Sequence, residues 1–157
     1  MAMMSDGIKG ERLARIKLRK HGATCCMLPD LCAKENGVWI IVEAKYKKMY
    51  KIKKDGYDFI GTGLSTKQIS ARLQWFHDTG IRCKLISFNK LSDKENFLNG
   101  TNAVECFEGW LDELEASGDY VERPIPNSSE IVHIYNQDVM NKSTLLYMDQ
   151  ELIHMSK

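Results

Sequence analysis

Asp30, Glu43 and Lys45 are the residues of this 157-residue chain whose types and spacing could do chemistry. They frame the stretch PDLCAKENGVWIIVEAK, residues 29–45, which reads as two short strands joined by a tight turn at Asn36-Gly37. Asn-Gly is the strongest short-range hairpin signal, because both central residues of a type I′ turn need positive φ. A two-residue turn sets the register: Glu35 faces Val38, Ala33 faces Ile40, Leu31 faces Val42 and Asp30 faces Glu43. Opposed residues on an antiparallel pair hold their Cβ atoms about 4.5–5.5 Å apart, and like charges there repel. Two carboxylates held together at the end of an apolar strand call for a cation between them. Lys45 shares the face of Glu43, since strand side chains alternate with period two. The combination predicts a metal site with a lysine beside it.

Several elements must position these groups. Ser5 or Asp6 can cap a helix that runs to about Lys20 and ends at Gly22. Ala14 and Leu18, with Leu13 and Ile16 beside them, form its expected core face. Arg12, Arg15, Lys17, Arg19 and Lys20 make the rest of it basic, and Glu11 falls on or beside the inward stripe. A short strand from Ala23 to Met27 precedes the hairpin. The run Val38–Val42 is β-branched and aromatic, as in a central strand covered on both faces. After the hairpin, Lys45, Lys47, Lys48, Lys51, Lys53 and Lys54 are interleaved with Tyr46, Tyr50 and Tyr57. Lysines attract phosphates and tyrosines stack on exposed bases. Gly56, Gly61 and Gly63 suggest a mobile loop there, without the GK[ST] ending of a P-loop. Ser65-Thr66-Lys67-Gln68 is a capping box opening a second helix whose buried stripe is Ile69, Leu73 and Phe76. Arg82–Phe88 reads as a further strand. The order helix, strand, hairpin, helix, strand predicts an α/β fold: a central mixed β-sheet flanked by helices.

Residues 91–157 differ in character. LSDKENFLNGTN is polar and loop-like, and Ala103–Ala116 reads as an acidic amphipathic helix with Val104, Phe107, Leu111 and Leu114 on one stripe. Ile131–Tyr135 and Thr144–Met148 read as short strands. This C-terminal extension could complete the sheet of the 1–90 core, screen its basic face or form a homodimer contact. Residues 1–90 hold 18 Lys and Arg against 8 Asp and Glu, whereas residues 91–157 hold 4 against 13. The overall charge of +1 conceals this asymmetry. A basic half suggests a polyanion partner, and the plainer account is two oppositely charged parts that pack together.

At 43% hydrophobic and 27% charged, the chain lies in the soluble globular range. No apolar run approaches the roughly 18 residues of a membrane span. MAMMSDGIKG lacks the apolar stretch of a secretory signal, so a cytoplasmic protein is expected. Cys25, Cys26, Cys32, Cys83 and Cys106 form no CxxC pair and read as buried free thiols of a reducing compartment, not as a zinc site.

The constellation Glu11, Pro29-Asp30 and Glu43-Ala44-Lys45 resembles the PD-(D/E)XK nuclease superfamily, whose order is an acidic residue on the first helix, a hairpin bearing Asp and Glu-x-Lys, then a helix and a strand. The match covers about residues 7–90, and Gln68 is similar to the family's trailing glutamine. Within the superfamily, GERLARIKLRKHGA looks most like archaeal-type Holliday junction resolvases, with small phage- or plasmid-borne nucleases close behind. The resemblance implies a restriction-endonuclease-like fold and a metal-dependent endonuclease acting on duplex or branched DNA. Asp30 and Glu43, with the Ala44 carbonyl, would hold Mg²⁺ or Mn²⁺, and Glu11 a second metal or its water. Lys45 and Gln68 would serve the reacting phosphate. Arg12, Arg15, Lys47, Lys48, Lys51, Lys53 and Lys54 would follow the nucleic-acid backbone. An RNA-cleaving relative, or a non-catalytic nucleic-acid-binding subunit with the same fold, are the alternatives.

Overall fold

The computed structural model describes residues 4–28, 30–54, 57–90, 96–98 and 100–155. Pro29, Gly56 and the segment 91–95 lie outside the described residues, as does the side chain of Lys54. Helix α1 (Asp6–Lys20) starts where the Ser5 hydroxyl accepts the Ile8 amide at 3.3 Å. It ends just before Gly22, at positive φ. Leu13, Ala14, Ile16 and Leu18 are buried, as the periodicity requires. Arg15 and Lys17 are buried too, at 6% and 7% exposure, so the helix is less of a basic surface than its sequence suggests.

Strands β1 (Thr24–Leu28), β2 (Asp30–Glu35) and β3 (Val38–Lys47) form an antiparallel meander. Asn36 and Gly37 adopt φ of 50° and 80°, the two positive values of a I′ turn. The register is the expected one from Glu35–Val38 through Ala33–Ile40 to Cys32–Ile41, where the ladder ends. Asp30 lies beyond that end and pairs with Leu28 of β1. Val38 and Trp39 are exposed, so β3 is covered on both faces only from Ile40 onward.

The lysine-tyrosine segment is not a loop. It forms a second hairpin, β4 (Tyr50–Lys54) and β5 (Tyr57–Ser65), with Ile52 and Phe59 turned inward and Lys51 and Lys53 outward. Alternation of apolar and charged residues, hidden within a lysine run, made the strand. Helix α2 (Thr66–Thr79) follows, capped by Ser65 and closed by left-handed Gly80. It crosses to β6 (Cys83–Asn89), which lies parallel to β3.

Beyond Lys90 come β7 (Asn96–Leu98), β8 (Thr101–Trp110), α3 (Leu111–Ser117), β9 (Tyr120–Pro124), β10 (Ile131–Asn136), β11 (Asn141–Tyr147) and α4 (Asp149–Ile153). The acidic helix expected over Ala103–Ala116 is mostly the strand β8. Asn102, Val104 and Cys106 alternate into the core with period two, while Val104, Phe107 and Leu111 also satisfy a helical stripe. Pairing with β6 and β11 decided between the two periods.

The result is an α/β fold with a seven-stranded mixed sheet, in the order β1-β2-β3-β6-β8-β11 with β7 beside β8. A four-stranded antiparallel sheet, β4-β5-β10-β9, accompanies it. Helix α1 packs on the face of β3 that carries Ile40, Val42 and Tyr46. Ile41 lies on the opposite face, in a second core with Ile69 of α2 and Leu64 and Tyr135 of the smaller sheet. The two sheets are tied by a buried hydrogen bond of 2.8 Å between Thr62 and Ser87 hydroxyls. No helix among the described residues is long and apolar enough to cross a membrane.

Gly61 shows how closely the smaller sheet is fitted. A Cβ there would collide with the Tyr135 carbonyl across the β5–β10 pair, whereas one at Gly7 in α1 would meet nothing within 4 Å. Gly61→Ala should therefore cost about 1–3 kcal/mol in urea unfolding, as overpacking does. Gly7→Ala should be neutral or slightly stabilising. Equal effects of the two changes would contradict the close approach.

Candidate functional site

β3 and α2 carry the candidate site between them. On β3, Ile41, Glu43 and Lys45 are two residues apart and share the face away from α1. On α2, Gln68, Arg72 and Trp75 recur at helical spacing and line up along one side. The two elements therefore meet in tiers. Lys45 and Gln68 line one cleft, Glu43 bonds Arg72, and Ile41 and Trp75 line a pocket at the other end.

The middle tier answers the question raised by the opposed carboxylates. Arg72 Nε donates to Glu43 Oε1 at 2.7 Å, and Arg72 Nη2 lies 2.9 Å from Asp30 Oδ2. These nitrogens sit on one edge of the guanidinium with their N–H bonds parallel, so the two carboxylate oxygens they bind are neighbours. Asp30 and Glu43 do meet around a cation, and that cation is the chain's own arginine. Burial works against the charge on Arg72, but hydrogen bonds and charge from Glu43 and Asp30 together outweigh it and hold the guanidinium above its ordinary value. The side chain of Glu43 is 11% exposed and that of Asp30 50%, so Glu43 depends on Arg72 far more than Asp30 does.

The neighbouring tier is a polar cleft of about 330 Å³ lined by Lys45, Lys47, Ser65, Lys67 and Gln68, with Glu130 on its far wall. Lys67 is 3.4 Å from Glu130. Lys45 is half-buried, and burial lowers its pKa; the charge of Glu43 opposes this and that of Lys47 adds to it. Gln68 is held by the cap: its amide donates to Ser65 Oγ at 3.3 Å and its Oε1 accepts from the same hydroxyl at 3.2 Å. The residue also lines the cleft.

The other expected site residues fare unequally. Ala44 points to the α1 side of β3 and packs against that core. Glu11 rides on α1, which covers the face opposite Glu43 and Lys45, with Gly10 backed against the main chain of Lys45 and Tyr46. Among the described residues, no group of three or more Asp, Glu, His or Cys is arranged to hold a metal, so Glu11 does not complete a three-carboxylate set. Of the expected nucleic-acid contacts, Arg15 is buried and Arg12 donates to the Leu152 and Ile153 carbonyls, tying α1 to α4. Lys47, Lys48, Lys51 and Lys53 are exposed and form no ion pair among the described residues. The cysteines are free, and burial pushes the Cys83 and Cys106 thiols up to about 12 and 11.

Comparisons with family models, curated proteins and solved structures find no match. The chemistry of the site thus rests on its own geometry. Arg72 went unnoticed in the sequence. Its signal was its place four residues after Gln68, on the side of the helix that faces the strand bearing Glu43.

Two outcomes follow from these contacts. Replacing Arg72 by Met leaves Glu43 buried without its cation, and such breaks cost several kcal/mol. Half-exposed Asp30 adds only about what a surface pair does. Arg72→Met should lose about 2–4 kcal/mol in urea unfolding, and adding Glu43→Gln should restore most of it. A Met variant as stable as wild type would refute the clamp. For Lys45, a folded-state pKa below 10.5 means that the unfolded chain holds a proton the folded one has released. Stability therefore rises with pH between the lowered value and 10.5. The advantage of Lys45→Met over wild type should shrink across that window, and a pH-independent difference would contradict the lowered value.

Proposed function

We propose that the chain is a metal-dependent nuclease that hydrolyses DNA phosphodiester bonds, with a restriction-endonuclease-like core in residues 1–90. The observation that carries this reading is the convergence of Asp30 and Glu43 on one cation beside a cleft containing Lys45 and Gln68. The order helix, hairpin, helix and strand of the family the motif resembles also supports it, with the β4–β5 hairpin inserted between β3 and α2.

Two hard carboxylate oxygens suit Mg²⁺ or Mn²⁺, since Mg²⁺ is commonly held by one or two carboxylates together with substrate phosphates and water. The fit carries one condition: Arg72 must leave the position between Asp30 and Glu43. Bound there, the ion would supply Lewis acidity toward a phosphate oxygen and acidify water. Every other role falls to the chain's own groups. Lys45, half-buried beside Glu43, stabilises negative charge that develops on the phosphate, where a positioned cation in a water-poor site is worth most. The Gln68 amide orients a phosphate oxygen. Lys47, Lys48, Lys51 and Lys53 attract the backbone, so affinity falls with salt. Glu11 has no part in this arrangement.

One observation favours a second reading. Arg72 already neutralises the carboxylate pair, as it would in a nucleic-acid-binding protein that performs no hydrolysis. Incubation with supercoiled plasmid, four-way junction, single-stranded DNA and RNA, in Mg²⁺, Mn²⁺ or EDTA, separates the two. The nuclease reading expects metal-dependent cutting of DNA that falls on the order of 10²-fold or more in Asp30→Ala and Lys45→Ala. Binding without cutting under every metal condition would instead establish the second reading.

A further inference from the structure

The apolar walls of the third tier have no part in hydrolysis. Beyond Arg72 the groove opens into a pocket of about 480 Å³ whose walls are almost wholly apolar, formed by Trp39, Trp75, Ile41, Ile81 and Cys32. Asp30 and Arg72 stand at its edge. Trp39 and Trp75 are 42% and 46% exposed, and α2 and β3 end there without covering them. Large aromatic rings at a pocket rim, next to hydrogen-bonding groups, are the parts of a ligand site and not of a core.

We infer that this pocket takes an unpaired nucleobase, whose strand continues along β3 and α2 into the lysine cleft. The inference rests on the nucleic-acid reading above and names the form of the substrate: a strand with at least one base out of the duplex stack. Three observations point the same way. The pocket and the cationic cleft are both lined by β3 and α2, with Ile41 and Arg72 at the pocket and Lys45 and Gln68, four residues along each element, at the cleft. A polyanion held by Lys45, Lys47 and Lys67 and running along these elements therefore reaches the pocket. Ile41 to Lys45 spans about 13 Å of strand, enough to place a phosphate at one end and a base at the other. The charged side chains among the lining residues are Asp30 and Arg72, an acceptor and a donor suited to a base edge. A base paired within a duplex stack does not present its face to a side pocket, whereas a flipped or single-stranded base is read by stacking and edge contacts.

The test is run in EDTA, so that it does not depend on cleavage. Tryptophan fluorescence of the full chain is titrated with a single-stranded oligothymidylate, an abasic oligonucleotide of equal length and a blunt duplex. The intact single strand should quench the fluorescence and bind more tightly than the abasic strand by about 5- to 100-fold. Trp75→Ala and Trp39→Ala should each erase that advantage while leaving abasic binding unchanged, and Trp75→Phe should retain most of it. Equal binding of intact and abasic strands, indifferent to the Ala changes, would overturn the base pocket and leave the nuclease reading standing. Quenching without any metal-dependent cutting would keep the pocket and remove the nuclease. Fluorescence that responds to protein concentration but not to oligonucleotide would identify the two-tryptophan face as a contact between copies, and would also overturn the inference.

Discussion

A buried carboxylate beside a second one is an arrangement that no fold keeps without a counter-charge, and here Arg72 supplies it. Glu43 sits on the central strand of the larger sheet, where little of its side chain reaches water, and Asp30 begins the neighbouring strand. The cost of burying Glu43 alone exceeds what most single contacts return. Helix α2 must therefore lie where its second turn reaches both acids, and the crossover from β3 to β6 is fixed accordingly. The Ser65 cap at one end of α2 and left-handed Gly80 at the other set its length. The guanidinium sets its rotation.

That rotation has consequences along the whole groove. Once Arg72 faces Glu43, helical spacing carries Gln68 to the level of Lys45 and Trp75 to the level of Ile41. A polar cleft and an apolar pocket thus lie at the two ends of one interface because strand and helix repeat at different but commensurate rises. The smaller sheet closes the cleft: Gly63 of β5 and Val132 of β10 line it, and the Thr62–Ser87 bond holds that sheet to β6 beside Lys45. Packing and site are the same set of contacts seen from two sides.

Local signals in the sequence translated well where one rule acted alone. Asn36-Gly37 specified the turn and the first pairs of the register, Ser65 to Gln68 specified a cap, and Leu13, Ala14 and Leu18 specified a core face. Reading failed where two periods fitted the same residues, as at Ala103–Trp110, or where lysines masked alternation, as at Tyr50–Lys54. Both segments became strands because a partner strand was present, which is a tertiary fact that no local window contains. The candidate site divides the same way. A cation between Asp30 and Glu43 was legible, since repulsion demands one, but its identity depended on which helix face met the hairpin. Glu11 was placed by a motif, and the packing of α1 on the opposite face separates it from the others.

The charge asymmetry resolves into structure by the same selectivity. Lys17, Lys20, Lys67 and Arg82 reach Glu108, Glu151, Glu130 and Asp112 across the two halves, so much of the basic excess is answered within the fold. The lysines at the end of β3 and along β4 are not, because the acidic strands pair on the far edge of the larger sheet and α3 lies against β6 and β8. A near-neutral chain can then present a basic edge. What a charged surface attracts depends on where its unanswered charges stand, not on their total, and here one of them, Lys47, lines the cleft that Lys45 enters.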